Sequence, residues 1–130
     1  MLFSALLGLV VSIPRGFTIP QVDLAGDTGR QITVDREQGE YLGHPTTVLL
    51  DDGKGVLCIY PNGHGKGPLI MRKSNDGGRS WTDRLPVPDS WATSQETPHI
   101  YPVIDAVGVK RLIVFSGLYP IRMSVSEDQG

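Results

Sequence analysis

Cysteine is almost absent from this sequence, which contains only Cys58. One cysteine excludes an internal disulfide framework and a zinc site built from cysteines. Cys58 lies in the apolar run VLCIY, and no basic residue adjoins it in the sequence to lower the pKa of its thiol. We therefore expect a buried, inert thiol rather than a nucleophile.

An excess of charge of one sign is also missing. The 12 Lys and Arg residues nearly balance the 14 Asp and Glu residues, which gives a formal net charge of −2. The basic residues are scattered along the chain, whereas nucleic-acid-binding proteins usually concentrate them on one face. We therefore expect no nucleic-acid partner.

Long apolar runs are scarce. Residues 1–12, MLFSALLGLVVS, are too few to cross a bilayer but have the length of a signal-peptide core. No Lys or Arg precedes this run, and the small residues of a typical cleavage site do not follow it. A secreted or periplasmic location is one interpretation, and a misplaced start or a first strand packed in the fold is the other. We expect no membrane-spanning segment.

No segment has the apolar spacing of a long helix, whereas Gly (16 residues) and Pro (10 residues) are frequent. This composition favours short strands and turns in a single soluble domain of 130 residues. We interpret residues 13–40 as an N-terminal lead-in. The regular strand pattern occupies residues 41–130.

Three runs rich in β-branched and apolar residues follow the lead-in: HPTTVLL, VLCIYP and LIMRKS. The turn DDGKG separates the first two runs, and the glycine-rich loop NGHGKGP separates the second from the third. After the third run, SWTDRLPV has the pattern of a fourth, outermost strand. The segment therefore predicts a four-stranded antiparallel meander.

The same pattern then repeats as YPVID, RLIVFSG and IRMSVS. Val103 lies 55 positions after Val48, and Leu112 lies 55 positions after Leu57. Ser126 lies only 52 positions after Ser74, because the second loop is three residues shorter. A period of this length with four strands per unit is typical of β-propeller blades. The sequence therefore predicts an all-β propeller, of which this chain contains about two four-stranded blades.

The turn after the third run reads SNDGGRSW, Ser74 to Trp81, and the chain ends in SEDQG. Both fit S-x-D-x-G-x-[ST]-W as far as they extend, and this pattern resembles the Asp-box (BNR) repeat of the sialidase (neuraminidase) superfamily. The resemblance implies a six-bladed propeller in which Asp and Ser side chains bind turn amides, Gly adopts a positive φ, and Trp packs between blades. The structural positions implied here are Ser74, Asp76, Gly78, Ser80, Trp81, Ser126, Asp128 and Gly130.

One carboxylate per turn offers too few oxygen ligands for a calcium ion. We therefore interpret the acidic residues of both Asp-box turns as structural. We expect neither a metal nor another cofactor in this protein.

Strand parity assigns the loops to two ends of the sheets. In an antiparallel meander, the start of the first strand and the end of the second lie at the same end of the sheet. We call this end the loop end, and it contains residues 41–45, 62–68, 90–99 and 117–122. The opposite end, which we call the turn end, collects residues 51–55 and both Asp-box turns. Sialidases bind substrate opposite their Asp-boxes, so the resemblance implies a glycan site at the loop end. Asp51 and Asp52 are then a solvated turn.

The resemblance implies an exo-α-sialidase-type glycoside hydrolase, which cleaves a terminal sugar from a glycan. Such enzymes hold the substrate carboxylate with three arginines and use a Tyr assisted by a Glu, together with an Asp as acid and base. This sequence departs from that set. Gly43, His44 and Pro45 stand where the first arginine is expected, and the 62–68 loop contains His64 and Lys66 but no acid.

Other residues at the loop end offer replacement chemistry. The candidate catalytic residues are His44, His64 and Glu96, because imidazole and carboxyl groups bind sugar hydroxyls and transfer protons. The candidates for substrate binding are Arg36 and Arg122, for an anionic group, and Tyr119, for stacking on a sugar ring. Each of these side chains also has a structural interpretation, such as a hydrogen bond to a loop carbonyl or exposure to solvent. Trp91 has two interpretations as well: it stacks on a sugar ring, or it packs under the linker 90–99.

Two functional interpretations follow. The first is a sialidase-like hydrolase whose N-terminal portion is this chain, with a glycan or glycoconjugate as substrate and the remaining blades as structural partners. The second is a non-catalytic Asp-box propeller that binds glycan or protein through the same end. The departures at Gly43 and in the 62–68 loop are the observations that keep the second alternative open.

Overall fold

The computed structural model describes residues 19–130, so the interpretation of residues 1–12 lies outside the described part of the chain. The chain divides into two compact units, Met1–Gln31 and Ile32–Gly130. In the first unit, the described residues contain a short 3-10 helix, Thr28–Arg30. An ion pair between Arg30 and Asp27, with Nε and Oδ2 2.9 Å apart, joins that helix to the residue before it.

The second unit is all-β and contains two three-stranded antiparallel sheets. Its single 3-10 helix, Asp89–Thr93, lies between the sheets in the chain. No helix among residues 19–130 is long and apolar enough to cross a membrane. The first sheet consists of β1 (Thr46–Leu49), β2 (Val56–Pro61) and β3 (Leu69–Ser74), and the second of β4 (His99–Ile104), β5 (Lys110–Ser116) and β6 (Arg122–Ser126). The all-β prediction is thus confirmed, and six of the seven predicted strand runs form strands.

The β1–β2 turn forms as its Asp-Gly step predicts. The Leu50 N–H donates to the Gly55 carbonyl at 2.7 Å, and Gly53 has a φ of 69°. The Asp52 carboxylate accepts the N–H groups of Lys54 and Gly55 at 2.9 and 2.6 Å. These bonds hold the pKa of Asp52 below its ordinary value, so this exposed acid is a turn residue, as predicted.

The predicted fourth strand of the first sheet is wrong. Residues after the first Asp-box turn lie beside β3, where the N–H groups of Thr82 and Leu85 donate to the Lys73 and Met71 carbonyls at 2.9 and 2.8 Å. The Lys73 N–H, however, donates to the Thr82 side-chain hydroxyl at 3.1 Å rather than to a backbone carbonyl. Two prolines, at 86 and 88, then remove the N–H groups that a regular ladder needs. The pairing therefore stops before a strand forms.

The core lies between the two sheets. Leu57 and Ile59 from β2 share one buried cluster with Leu112 and Val114 from β5. Trp91, in the connecting 3-10 helix, is 5% exposed and donates its indole N–H to the Ser124 hydroxyl at 2.8 Å. Trp91 is therefore a packing residue, which was one of its two interpretations.

The two sheets stack face to back. In β2 the side chains of Leu57 and Ile59 face the second sheet, whereas Cys58 and Tyr60 face the other way. Ser74 pairs with Val56 and the equivalent Ser126 pairs with Leu112, so Leu112 corresponds to Val56 and not to Leu57. The sequence alignment was therefore wrong by one residue in this strand. Because a shift of one residue exchanges the two faces of a strand, opposite faces of the two repeats meet.

The outward face of the second sheet has no cover within the described residues. Four of its large apolar side chains are between 38% and 58% exposed: Tyr101, Phe115, Met123 and Val125. In the first sheet, the equivalent face is the one that packs against the second sheet. The exposed face of the second sheet therefore has the composition of a buried interface.

Candidate functional site

Three loops meet at the loop end. The Gly63 N–H donates to the Tyr41 carbonyl at 2.8 Å, which joins the 62–68 loop to the segment before β1. The Glu96 N–H donates to the Gly65 carbonyl at 2.9 Å, and Lys66 pairs with Gln95. The strand-parity prediction thus groups segments that are in contact in the fold.

The two candidate histidines are neighbours. The rings of His44 and His64 stack with their centroids 4.8 Å apart and their planes at 14°. Tyr41 contacts both, with ring centroids 5.2 Å from His64 and 6.0 Å from His44. All three side chains are exposed. Two imidazoles and a phenol ring therefore form one accessible aromatic group at the loop end.

Glu96 lies beside this group. A Cβ built on Gly65, the residue after His64, would stand 3.7 and 3.8 Å from the two carboxylate oxygens of Glu96. These distances are ordinary van der Waals contacts, so the Glu96 carboxylate lies close to Gly65 in the histidine loop. Strand parity placed Glu96 at the same end as the histidines but could not predict that its carboxylate lies close to Gly65.

His44 and Glu96 share an unusual backbone conformation. Their φ angles are 51° and 62°, in the left-handed region that non-glycine residues seldom adopt. Each such residue costs about 1–3 kcal/mol, and residues of this kind concentrate at functional sites. The strain therefore falls on two of the three candidate catalytic residues, and no feature of the sequence pattern indicated it.

Arg122 and Tyr119 lie at a separate cavity of about 130 Å³, which Gln95 also lines. Arg122 donates through Nη1 to the Ser90 carbonyl at 2.8 Å and to the Thr93 hydroxyl at 2.9 Å. Part of its guanidinium therefore binds the protein itself, while Tyr119 is 97% exposed. Gln95 also pairs with Lys66 of the 62–68 loop, so the linker that contains Gln95 and Glu96 joins this cavity to the histidine loop.

Arg36 is not joined to the loop end by any side-chain hydrogen bond or ion pair of the described residues. Its backbone N–H donates to the Asp35 carboxylate at 2.7 Å, and its side chain forms no hydrogen bond or ion pair within residues 19–130. Its role in substrate binding stays a prediction.

Sequence reasoning missed a polar cluster on the outer face of the first sheet. Asp35 Oδ2 accepts the Tyr60 hydroxyl at 2.5 Å and the Arg84 Nε at 2.8 Å, and Arg84 also pairs with Glu37 at 2.7 Å. Burial by itself raises the pKa of Asp35, but the hydrogen bonds from Tyr60 and Arg84 outweigh it and hold the pKa below its ordinary value. Burial, followed by the bond to Asp35, raises the pKa of Tyr60.

This cluster fastens the segment before β1 to the first sheet. It joins residues 25 and 49 positions apart, and no sequence pattern marks that pairing. It lies on the face that also buries Cys58, where burial raises the pKa of the thiol to about 11. The sequence prediction of a buried, inert cysteine is thus supported.

The first Asp-box turn forms the bonds that its pattern implies. Asp76 Oδ1 accepts the Ser74 hydroxyl at 2.8 Å and the N–H groups of Arg79 and Ser80, each at 2.9 Å. Oδ2 accepts the Ser80 hydroxyl at 2.6 Å. These bonds, led by those from Ser80, lower the pKa of Asp76 well below its ordinary value. Gly78 has the implied positive φ, 88°.

The second turn repeats the first. Ser126 donates to Asp128 Oδ1 at 2.8 Å and accepts the N–H of Gly130 at 2.8 Å, the distances found for Ser74 with Asp76 and Gly78. Gly130 has a φ of 96°. The structural roles expected for these Ser, Asp and Gly positions therefore fit both turns.

Trp81 does not lie between the two sheets of this chain. It is partly buried against Cys58, Tyr60 and Ile70, on the face of the first sheet that points away from the second. Its indole N–H donates to the Gly78 carbonyl at 3.1 Å, which ties it to its own turn. That face would meet another blade in a propeller, so the packing of Trp81 between blades stays a prediction.

No protein-family model, curated protein or solved structure matches the chain.

Proposed function

We propose that this chain is the N-terminal portion of a sialidase-like, propeller-type glycoside hydrolase that cleaves terminal sugars from glycans at the loop end. The two Asp-box turns support the family, because they carry the same hydrogen bonds at equivalent positions of two sheets. The face-to-back stacking of these sheets supports a propeller, because successive blades are related in this way.

The observation that carries the catalytic proposal is the stack of His44 on His64, at the end of the sheets away from the Asp-box turns. The Glu96 carboxylate lies beside the same loop. Imidazole and carboxyl groups are the usual general acids and bases in enzymes. We assign proton transfer to Glu96 and one histidine, and the binding of sugar hydroxyls to the other histidine.

The departures from the sialidase pattern define the expected specificity. Gly43 supplies no arginine, and residues 62–68 supply no acid. Hydrolysis through this site would therefore depart from the usual sialidase chemistry, with simple sialosides as poor substrates. Arg122 and Tyr119 line the adjoining cavity, where they would contact a second part of the glycan.

The same departures favour one alternative, a non-catalytic propeller that binds glycan or protein through the loop end. The candidate residues would then act as hydrogen-bonding and stacking groups only. Both proposals place the ligand at the same end, so they differ in turnover and not in location.

The test is release of sugar from a panel of glycans and aryl glycosides by the full-length protein. His64→Ala and His44→Asn remove the imidazoles, and asparagine tolerates the left-handed backbone at position 44. Asp51→Ala is the control, because Asp51 is exposed at the turn end. Its carboxylate pairs with Lys110, and its backbone N–H donates to Oε1 of Gln129.

We expect one histidine variant to lose activity by about 100-fold or more, the ordinary contribution of general acid–base catalysis. The other histidine variant should lose less activity, mainly through weaker substrate binding, and Asp51→Ala should keep it. Activity that is lost in Asp51→Ala and retained without either imidazole would refute the placement. If the parent protein binds glycans but releases no sugar, the non-catalytic alternative replaces the hydrolase.

A further inference from the structure

Tyr41 lies flat against a glycine. A Cβ built on Gly43 would stand 2.5 to 2.7 Å from Cε1, Cζ and Oη of the Tyr41 ring. These distances are far below a normal contact, so only glycine at position 43 permits the ring to occupy this place. The corner of the loop end formed by residues 41–44 therefore presents an aromatic face.

The Tyr41 ring is held in place and yet accessible. The Tyr41 carbonyl accepts the Gly63 N–H at 2.8 Å, and its ring contacts both imidazoles. The residue nevertheless remains 52% exposed. An aromatic side chain fixed in this way loses little conformational freedom when a ligand binds.

We propose that Tyr41 is the platform on which an uncharged pyranose ring of the glycan stacks, an inference that rests on the proposed function. The C–H face of a pyranose is apolar, whereas its hydroxyl groups point outward at the rim of the ring. Tyr41 offers an apolar face, and His44, His64 and Glu96 supply hydrogen-bonding groups beside it.

The charges at the loop end favour an uncharged ring over an acidic one. A carboxylate is held best by two N–H groups of one arginine, arranged as a fork. Arg122 donates through Nη1 to Ser90 and Thr93, and it lines a cavity that Tyr41 does not line. The Arg36 side chain forms no hydrogen bond or ion pair with the loop end among residues 19–130. The Glu96 carboxylate, which lies close to Gly65 in the histidine loop, would repel an acidic sugar.

The test measures binding of defined probes to the full-length protein by saturation-transfer NMR and titration. The neutral probes are the methyl pyranosides of glucose, galactose, mannose and N-acetylglucosamine, and the acidic probe is the methyl glycoside of N-acetylneuraminic acid. Tyr41→Ala removes the ring and Tyr41→Phe keeps it. Gly43→Ala displaces the ring without removing a functional group. Val107→Ala is the control, because Val107 is 82% exposed in the β4–β5 turn, at the turn end.

We expect Tyr41→Ala and Gly43→Ala to weaken binding of a neutral probe about tenfold, Tyr41→Phe to change it less than about threefold, and Val107→Ala to leave it unchanged. Unaltered binding by Tyr41→Ala overturns the inference, even if Gly43→Ala fails to fold. Tighter binding of the acidic probe than of every neutral one also overturns it. Failure of the parent protein to bind or cleave any glycan overturns the proposed function and the inference together.

Discussion

Ser126 repeats the role of Ser74. Each hydroxyl donates to the aspartate two residues later at 2.8 Å and accepts the N–H of the glycine four residues later at 2.8 Å. The two serines end equivalent strands, β3 and β6, of separate sheets. The turn is therefore a local unit that forms in the same way wherever its sequence recurs.

Asp76→Asn is expected to lower the midpoint of thermal unfolding and to flatten the pH dependence of stability. The folded pKa of Asp76 lies below its unfolded value. Its stabilising contribution is therefore complete above the unfolded pKa of about 3.9 and is lost as the pH falls through the folded pKa. Thermal melts between pH 7 and pH 2 measure this, with exposed Asp83→Asn as control. A pH profile of Asp76→Asn identical to that of the parent would contradict the assignment.

Trp91→Ala should destabilise the protein more than Trp81→Ala. Trp91 is buried between the sheets, and its loss should cost about 3–5 kcal/mol, whereas partly buried Trp81 should cost about 2–3 kcal/mol. Urea unfolding of both variants gives the two values. The reverse order would show that the outer face of the first sheet carries more of the stability than the core does.

The Cys58 thiol should not react with aromatic disulfide reagents at pH 8 until the protein unfolds. Burial raises its pKa to about 11, so the thiolate is scarce at that pH, and the side chain is 2% exposed. The reaction is followed by absorbance in buffer and in concentrated urea. A native-state rate equal to the urea rate would contradict the buried position.

The 130-residue chain by itself should self-associate through the outward face of the second sheet. Phe115 and Met123 are 38% and 58% exposed on that face, and removing such apolar surface from water is favourable. Analytical ultracentrifugation should show concentration-dependent association. The double variant Phe115→Lys and Met123→Lys should weaken it, whereas Leu24→Lys, at an exposed residue of the first unit, should not. A compact, monomeric parent chain would refute the prediction.

The candidate site was predicted only in part. Strand parity grouped His44, His64 and Glu96 at one end, because successive strands of an antiparallel meander run in opposite directions and alternate loops therefore emerge at the same end. It could not show that the imidazoles stack, that Tyr41 covers Gly43, or that two of these residues are strained. Those features depend on contacts between loops that are separated in sequence.

Sequence by itself determined the six strands and the turns between them, because alternating apolar residues, Asp-Gly steps and the Ser-x-Asp-x-Gly pattern act over a few neighbouring residues. Only the tertiary structure decided which faces of the two sheets meet. Leu112 is equivalent to Val56 and not to Leu57, and this difference of one residue in the alignment of the repeats exchanges the two faces of the strand. It also decided the side of Trp81 and the bond of Asp35 to Tyr60. Such choices depend on burial and on distant partners, which no local pattern encodes.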